Sequence, residues 1–208
     1  MVRILGKASS INVRKVLWTC AELEIPFVRE DWGSGFQSTL APAFLALNPN
    51  AMVPVMIDGD AVLWESNTIC RYLATRYGGD GRLLPREPLA RAKVEQWMDW
   101  QATELNNAWR YAFMALVRNS PAHGDAAQVE SSIAHWHRHM GIFEAQLEKT
   151  GAYAAGADFS LADIVLGLSL NRWLMTPMAR PDYPALRAYA ELLQLRPACR
   201  EFCMNGTA

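Results

Sequence analysis

The sequence predicts an α+β N-terminal domain followed by an all-α helical bundle domain. Three observations carry this. Residues 1–78 alternate short apolar runs with segments of helical spacing. Residues 79–88 are polar, carry Pro85 and Pro88, and read as a linker. Residues 89–208 keep a helical period almost throughout. A chain of 208 residues has room for two small domains. With 51% hydrophobic and 20% charged residues, its composition is globular and excludes a disordered chain. The net charge of −1 offers no basic surface for a phosphate backbone, so no nucleic-acid partner is expected. The 8 Trp residues suggest a sizeable core or an apolar site built from large rings.

The elements follow in order. Val2–Leu5 is a short apolar strand. Val13, Val16, Leu17, Cys20 and Ala21 set a helix over Asn12–Leu23. Pro26-Phe27-Val28 resumes an extended pattern. Ala41–Leu47 reads as a second helix, ended by the turn residues Asn48-Pro49-Asn50. Val53–Ile57 and Ala61–Trp64 flank Asp58-Gly59-Asp60, a strong hairpin signal. Ser66 can cap a helix through Ile69, Tyr72 and Leu73, stopped by Gly78-Gly79. The order β-α-β-α-β-β-α pairs parallel strands through a crossover helix, then closes an antiparallel hairpin. That is the order of the thioredoxin fold. Beyond the linker, helices are expected over Leu89–Val117, Val129–Leu147, Ser160–Leu174 and Pro184–Leu195. Asn119–Ala126 is expected as a loop, and Pro197 lies beyond the end of the closing helix.

No apolar run approaches the roughly 18–20 residues of a membrane span. The first residues are too soon polar for a signal peptide. Cys20, Cys70, Cys199 and Cys203 form no C-x-x-C pair and suggest neither a zinc site nor a disulfide framework. A reduced, cytoplasmic protein with no membrane partner is the expectation.

Three junctions could carry chemistry. Ser9-Ser10-Ile11-Asn12 lies where the first strand enters the first helix. A helix start offers unpaired N–H donors and the positive dipole end, which favour a thiolate; Ser10 or Asn12 could equally be a plain cap. Val53-Pro54 heads a strand. A cis bond there would turn the Val53 N–H and C=O outward toward a peptide-like ligand, whereas an ordinary edge proline is trans. Glu65-Ser66 opens the next helix and suits an α-amino acid group, or is again a cap with an exposed acid. In a thioredoxin-type unit these junctions converge on one edge. Together they match the tripeptide γ-Glu-Cys-Gly.

The chain resembles the cytosolic glutathione S-transferases, of the bacterial, Ser-type active site. The resemblance is carried by Ser9–Val16, by Phe44–Val55 with its Asn48-Pro49-Asn50-Ala51-Met52-Val53-Pro54 run, by Leu63–Ile69, and by Ser160-Leu161-Ala162-Asp163-Ile164. The last reads independently as a capping box. The resemblance implies an enzyme that activates glutathione, its co-substrate, as a thiolate for attack on small, mostly apolar electrophiles. It also implies detoxification and a homodimer. The family's catalytic serine falls on Ser10, with Ser9 the close alternative, and Asn12 assists the sulfur in some branches. Tyrosine-type chemistry has no candidate, because no Tyr precedes Tyr72.

The implied glutathione contacts are Met52, Val53, Pro54, Glu65 and Ser66. Met52 stands where the family usually has the lysine that holds the glycine carboxylate. Gln37 or Thr39 could replace that contact by hydrogen bonding. Asn107, Arg110 and Met114 share a helical face and would line the co-substrate pocket, with Trp173 closing it; bundle packing is the plain alternative for each. His135, His137 and His139 attract attention, but only His135 and His139 share a face, so no metal is assigned. Alternative functions are a glutathione-dependent isomerase or peroxidase, or a non-catalytic binding protein of this fold. The Cys and Trp that follow the serines in the isomerase branch are absent. So is the C-x-x-C of a dithiol oxidoreductase.

Overall fold

The computed structural model describes residues 1–208. The N-terminal domain runs β1 (Val2–Leu5), α1 (Ile11–Glu22), β2 (Phe27–Glu30), α2 (Pro42–Leu45), β3 (Val55–Asp58), β4 (Ala61–Trp64) and α3 (Ser66–Tyr77). Its four strands lie in the order β2-β1-β3-β4. β1 and β2 pair in parallel, Val2 opposite Phe27, and the other two pairings are antiparallel. This is the mixed sheet of a thioredoxin-like domain. A helical domain follows: α4 (Pro88–Trp100), α5 (Asn106–Leu116), α6 (Ala126–Thr150), α7 (Leu161–Met175), α8 (Pro184–Gln194) and α9 (Pro197–Phe202). No helix is long and apolar enough to cross a membrane.

Local chemistry explains most boundaries, and also the departures from expectation. The helix expected over Ala41–Leu47 is a single turn, α2. Asn48 ends it by folding back: its Oδ1 accepts from the Asn50 N–H at 3.0 Å, and its Nδ2 donates to Met52 O at 2.8 Å. β3 starts at Val55 rather than Val53, since Pro54 has no N–H for the ladder. Ser66 does not cap α3. It is the first helical residue, and Glu65 holds the cap position at φ +71° without a side-chain cap bond. Asp125 caps α6, which starts at Ala126, three residues before the expected Val129; its Oδ1 accepts from the Gln128 N–H at 2.9 Å. The loop before it contains a 3₁₀ turn at Pro121–His123. Pro197 does not lie idle past the last helix. It opens α9, where its fixed φ suits the first helical position.

The expected helix over Leu89–Val117 is helical throughout but not uniformly α. A π turn at Gln101–Leu105 joins α4 to α5. Such turns leave no sequence signal and are frequent at functional sites. Here the turn accompanies a buried Gln101 whose Nε2 donates to Ser169 Oγ and Asn106 Oδ1, each at 2.9 Å.

One apolar cluster spans both domains, from Val2, Val16 and Trp18 to Trp136, Leu168 and Leu193. α7 lies at its centre, buried at every position from Leu161 to Trp173, as an all-round apolar helix must be. Gly167 permits its contact with α1 and α8: a Cβ there would meet Leu193 Cδ1 at 2.8 Å and the Trp18 ring at 3.2 Å. Asp163 fixes the start of α7, accepting from the Ser160 N–H at 2.8 Å, the Ala154 N–H at 2.8 Å and the Tyr189 hydroxyl at 2.9 Å.

Candidate functional site

The β1–α1 junction is set by Gly6 and Ser10. Gly6 has φ +153°, and a Cβ on it would meet Val13 Cγ2 at 2.4 Å and Val53 Cβ at 3.0 Å. Only glycine lets the Val53 segment come this close to the start of α1. Ser10 is the N-cap, and its Oγ accepts from the Val13 N–H at a long 3.5 Å. That bond uses a lone pair, so the hydroxyl proton remains free to be donated. Ser9 is half-buried beside it and makes no side-chain hydrogen bond within the chain.

A cleft opens next to this junction, lined by Asn12, Asn48, Asn50, Met52, Val53, Pro54, Glu65 and Ser66. The Val53–Pro54 peptide bond is cis. The N–H and C=O of Val53 have no partner within the chain. Across the cleft, the amides of Ser66, Asn67 and Thr68 precede the first intrahelical bond of α3, from the Ile69 N–H to Glu65 O at 2.9 Å. These free donors and the positive end of the helix dipole face a ligand carboxylate well. Glu65 is exposed, its carboxylate has no partner in the chain, and its left-handed backbone is strained for a residue with a side chain. The cleft lining thus combines one free carboxylate, free amides and an unpaired extended segment, with no cation. Met52 on its rim is 63% exposed.

Beneath the start of α3 lies a buried polar layer. Lys15 Nζ donates to Asn67 Oδ1 at 3.1 Å and to Gln101 Oε1 at 2.7 Å. Asn67 Nδ2 in turn donates to Met98 O at 2.8 Å. Burial, the largest influence, pulls the Lys15 pKa down to about 8, and the Cys70 thiol partly opposes it.

The structure brings Asn12, Met52, Val53, Pro54, Glu65 and Ser66 to one cleft, with Ser10 adjoining. Gln37 and Thr39 are not in its lining. Gln37 is exposed, and its carbonyl accepts from the Gly33 N–H at 2.8 Å. Asn48 and Asn50 take places that sequence reasoning gave only to a turn; the Asn-Pro-Asn run was the available signal. Asn107 and Arg110 are exposed on α5 and Met114 is half-buried. Trp173 does not close a pocket beside them. It is 3% exposed, donates Nε1–H to His137 Nδ1 at 3.1 Å, and stacks on Tyr183 with centroids 6.0 Å apart. The reason is rotational: Arg172 faces α5, so its neighbour Trp173 is turned toward α6. His137 is held by that indole and by Ala179 O at 3.0 Å, while His139 Nδ1 lies 2.7 Å from the backbone O of His135.

Comparison with known proteins gives a consistent result. A family model described as glutathione S-transferase, N-terminal domain, matches residues 9–76, and one for the C-terminal domain matches residues 126–192. Glutathione S-transferase GstB of Escherichia coli is 36% identical over 206 residues, covering 98% of each chain. Glutathione S-transferase 3 of Zea mays is 33% identical over 95% of this chain and 90% of its own. Among solved structures, a theta class glutathione S-transferase from Xanthomonas axonopodis pv. citri, with glutathione bound, superposes with a TM-score of 0.91. It is 35% identical, with 98% of this chain and 97% of that one covered.

Proposed function

The chain belongs to the glutathione S-transferase family, and from that footing we propose how its own residues carry out the transfer. Glutathione lies in the cleft with its γ-glutamyl carboxylate on Ser66 and the free amides of α3. Its α-amine pairs with Glu65. The cysteinyl unit pairs with the Val53 backbone, and the sulfur reaches the Ser10 hydroxyl at the head of α1, with Asn12 alongside. The observation that carries this reading is the meeting of Val53, Glu65, Ser66 and Asn12 in one cleft beside Ser10.

The chemistry has a definite demand. A free thiol has a pKa of ~8.5 and is mostly protonated at neutral pH. Lowering it by about two units requires ~2.7 kcal/mol of preferential stabilisation of the thiolate. A hydrogen bond to a charged group supplies ~1.5–3 kcal/mol, and the helix terminus adds to it. The thiolate then forms a bond to an electrophilic carbon, whose leaving group departs with the bonding pair. The face of Asn107, Arg110 and Met114 forms the wall for the electrophile. The glycine end of glutathione is anchored weakly, since Met52 offers no charge. Asn50, in the cleft lining, is better placed to meet it than Gln37 or Thr39.

The protein acts as a cytoplasmic homodimer in detoxification on this reading. The test is retention on immobilised glutathione, followed by conjugation of a chlorodinitrobenzene by wild type and by Ser66→Ala. Retention and turnover that both fall in the variant support the site. An unaffected variant would place glutathione elsewhere, and retention without turnover would favour a binding protein.

A further inference from the structure

The helical domain contains a buried cation with no partner. Arg172 on α7 is 4% exposed, yet its guanidinium makes no hydrogen bond within the chain, and its Nε is sealed off from solvent without an acceptor. It enters none of the chain's ion pairs. Two ring faces lie against it: the guanidinium carbon is 4.5 Å from the Trp109 centroid and 4.0 Å from that of Phe113. Two further arginines adjoin it. Arg118, exposed at the end of α5, lies 5.3 Å from the same Phe113 ring. Arg14 is buried on α1, and its Nη atoms are taken by Thr207 O at 2.9 Å, Ala208 O at 3.0 Å and Cys203 O at 3.4 Å.

This arrangement is costly as it stands. A buried charge normally acquires a counter-charge or hydrogen bonds, and ring faces offset only part of the loss. Like charges on Arg14 and Arg118 add to the cost. Burial first, and then these two neighbours, lower the Arg172 pKa to about 9. An anion would relieve all three effects at once, and a carboxylate fits the flat fork of a guanidinium with two parallel hydrogen bonds.

The position says what carries that carboxylate. Arg14 lies one helical turn after Ser10, its N–H bonded to Ser10 O at 3.0 Å. Trp109 and Phe113 alternate along α5 with Arg110 and Met114, the wall assigned above to the electrophile. The groups against Arg172 are two aromatic rings and two further cations, with no carboxylate among them. We propose that Arg172, supported by Arg118 and Arg14, binds a carboxylate on the electrophilic co-substrate, so that this transferase favours apolar electrophiles bearing an acid group. This rests on the reading of α5 as the co-substrate wall.

The test uses one reaction with the charge present or masked. Glutathione displaces chloride from 4-chloro-3,5-dinitrobenzoate and from its methyl ester: a C–S bond forms and chloride leaves with the C–Cl pair in both. The ratio of kcat/KM for acid over ester should fall about tenfold in Arg172→Met, chiefly through KM for the acid, and by less in Arg118→Ala. Benzoate titrated against tryptophan fluorescence should bind wild type and not Arg172→Met, a readout that needs no turnover. If Arg172→Met does not fold, Arg172→Lys and Arg118→Ala decide, since both should lower the ratio. An unchanged ratio in all variants, or equal losses on acid and ester, would overturn the proposal. Benzoate binding without a change in ratio would also overturn it, as the anion would then be a free acid rather than the co-substrate. Failure of wild type to turn over either compound or to bind glutathione would instead overturn the transferase site, leaving the benzoate titration to judge Arg172.

Discussion

The Nζ of Lys15 lies 2.7 Å from Oε1 of Gln101, joining α1 of the first domain to the π turn of the second, with both side chains closed to solvent. The amide of Asn67 completes the contact from the first turn of α3. One buried ammonium thus holds together the two elements that start on either side of the cleft.

That burial predicts a pH signature. Desolvation brings the Lys15 pKa from 10.5 down to about 8 in the folded protein. Between these values the unfolded chain binds more protons than the folded one, so this residue's contribution to stability rises with pH across that window and is lost as pH falls through 8. Urea unfolding of wild type and Lys15→Met at pH 7 and pH 10 isolates it, because other groups cancel in the difference. Wild type should gain about 2 kcal/mol on the variant between the two pH values. A constant difference would mean an ordinary lysine pKa.

Met52 sets a second expectation. Met52→Lys should tighten glutathione by up to about 1 kcal/mol, in a salt-sensitive way, as an exposed pair is screened. γ-Glu-Cys, which lacks the glycine carboxylate, should not share the gain. Dissociation constants for two ligands and two proteins form a double cycle. A coupling energy near zero would mean that another group, such as the Asn50 amide, already holds the carboxylate.

Asp163 concerns stability rather than chemistry. Asp163→Ala would leave the N–H groups of Ala154 and Ser160 and the hydroxyl of Tyr189 without their acceptor inside the core. At ~1–3 kcal/mol for each unsatisfied buried group, the loss should be at least about 3 kcal/mol. Denaturant midpoints would check this, and a loss under about 1 kcal/mol would contradict it.

Much of this was legible in the residues. The Asp58-Gly59-Asp60 turn and the apolar runs beside it gave the β3–β4 hairpin, and Ser160 with Asp163 gave the start of the buried helix. The three junctions of the cleft were readable because a helix cap and a strand-heading proline are local chemistry. What stayed hidden depends on long-range partners. Nothing near Gln101 announces a π turn, since its bonds go to Lys15, Ser169 and Asn106. Trp173 left two readings open, because its spacing fits a pocket wall as well as it fits packing against His137 and Tyr183. Arg172 was invisible as an unpaired cation, because only the folded chain shows what an arginine lacks.

On the proposed function, the Ser10 hydroxyl stabilises the thiolate of bound glutathione. The pH dependence of thiolate absorbance for bound glutathione tests it directly, in wild type, Ser10→Ala and Ser9→Ala. The wild-type thiol pKa should lie about two units below the free value of ~8.5, rise by about one to two units in Ser10→Ala and stay unchanged in Ser9→Ala. A Ser10→Ala curve that coincides with wild type would contradict it, and a rise in Ser9→Ala alone would transfer the role to Ser9.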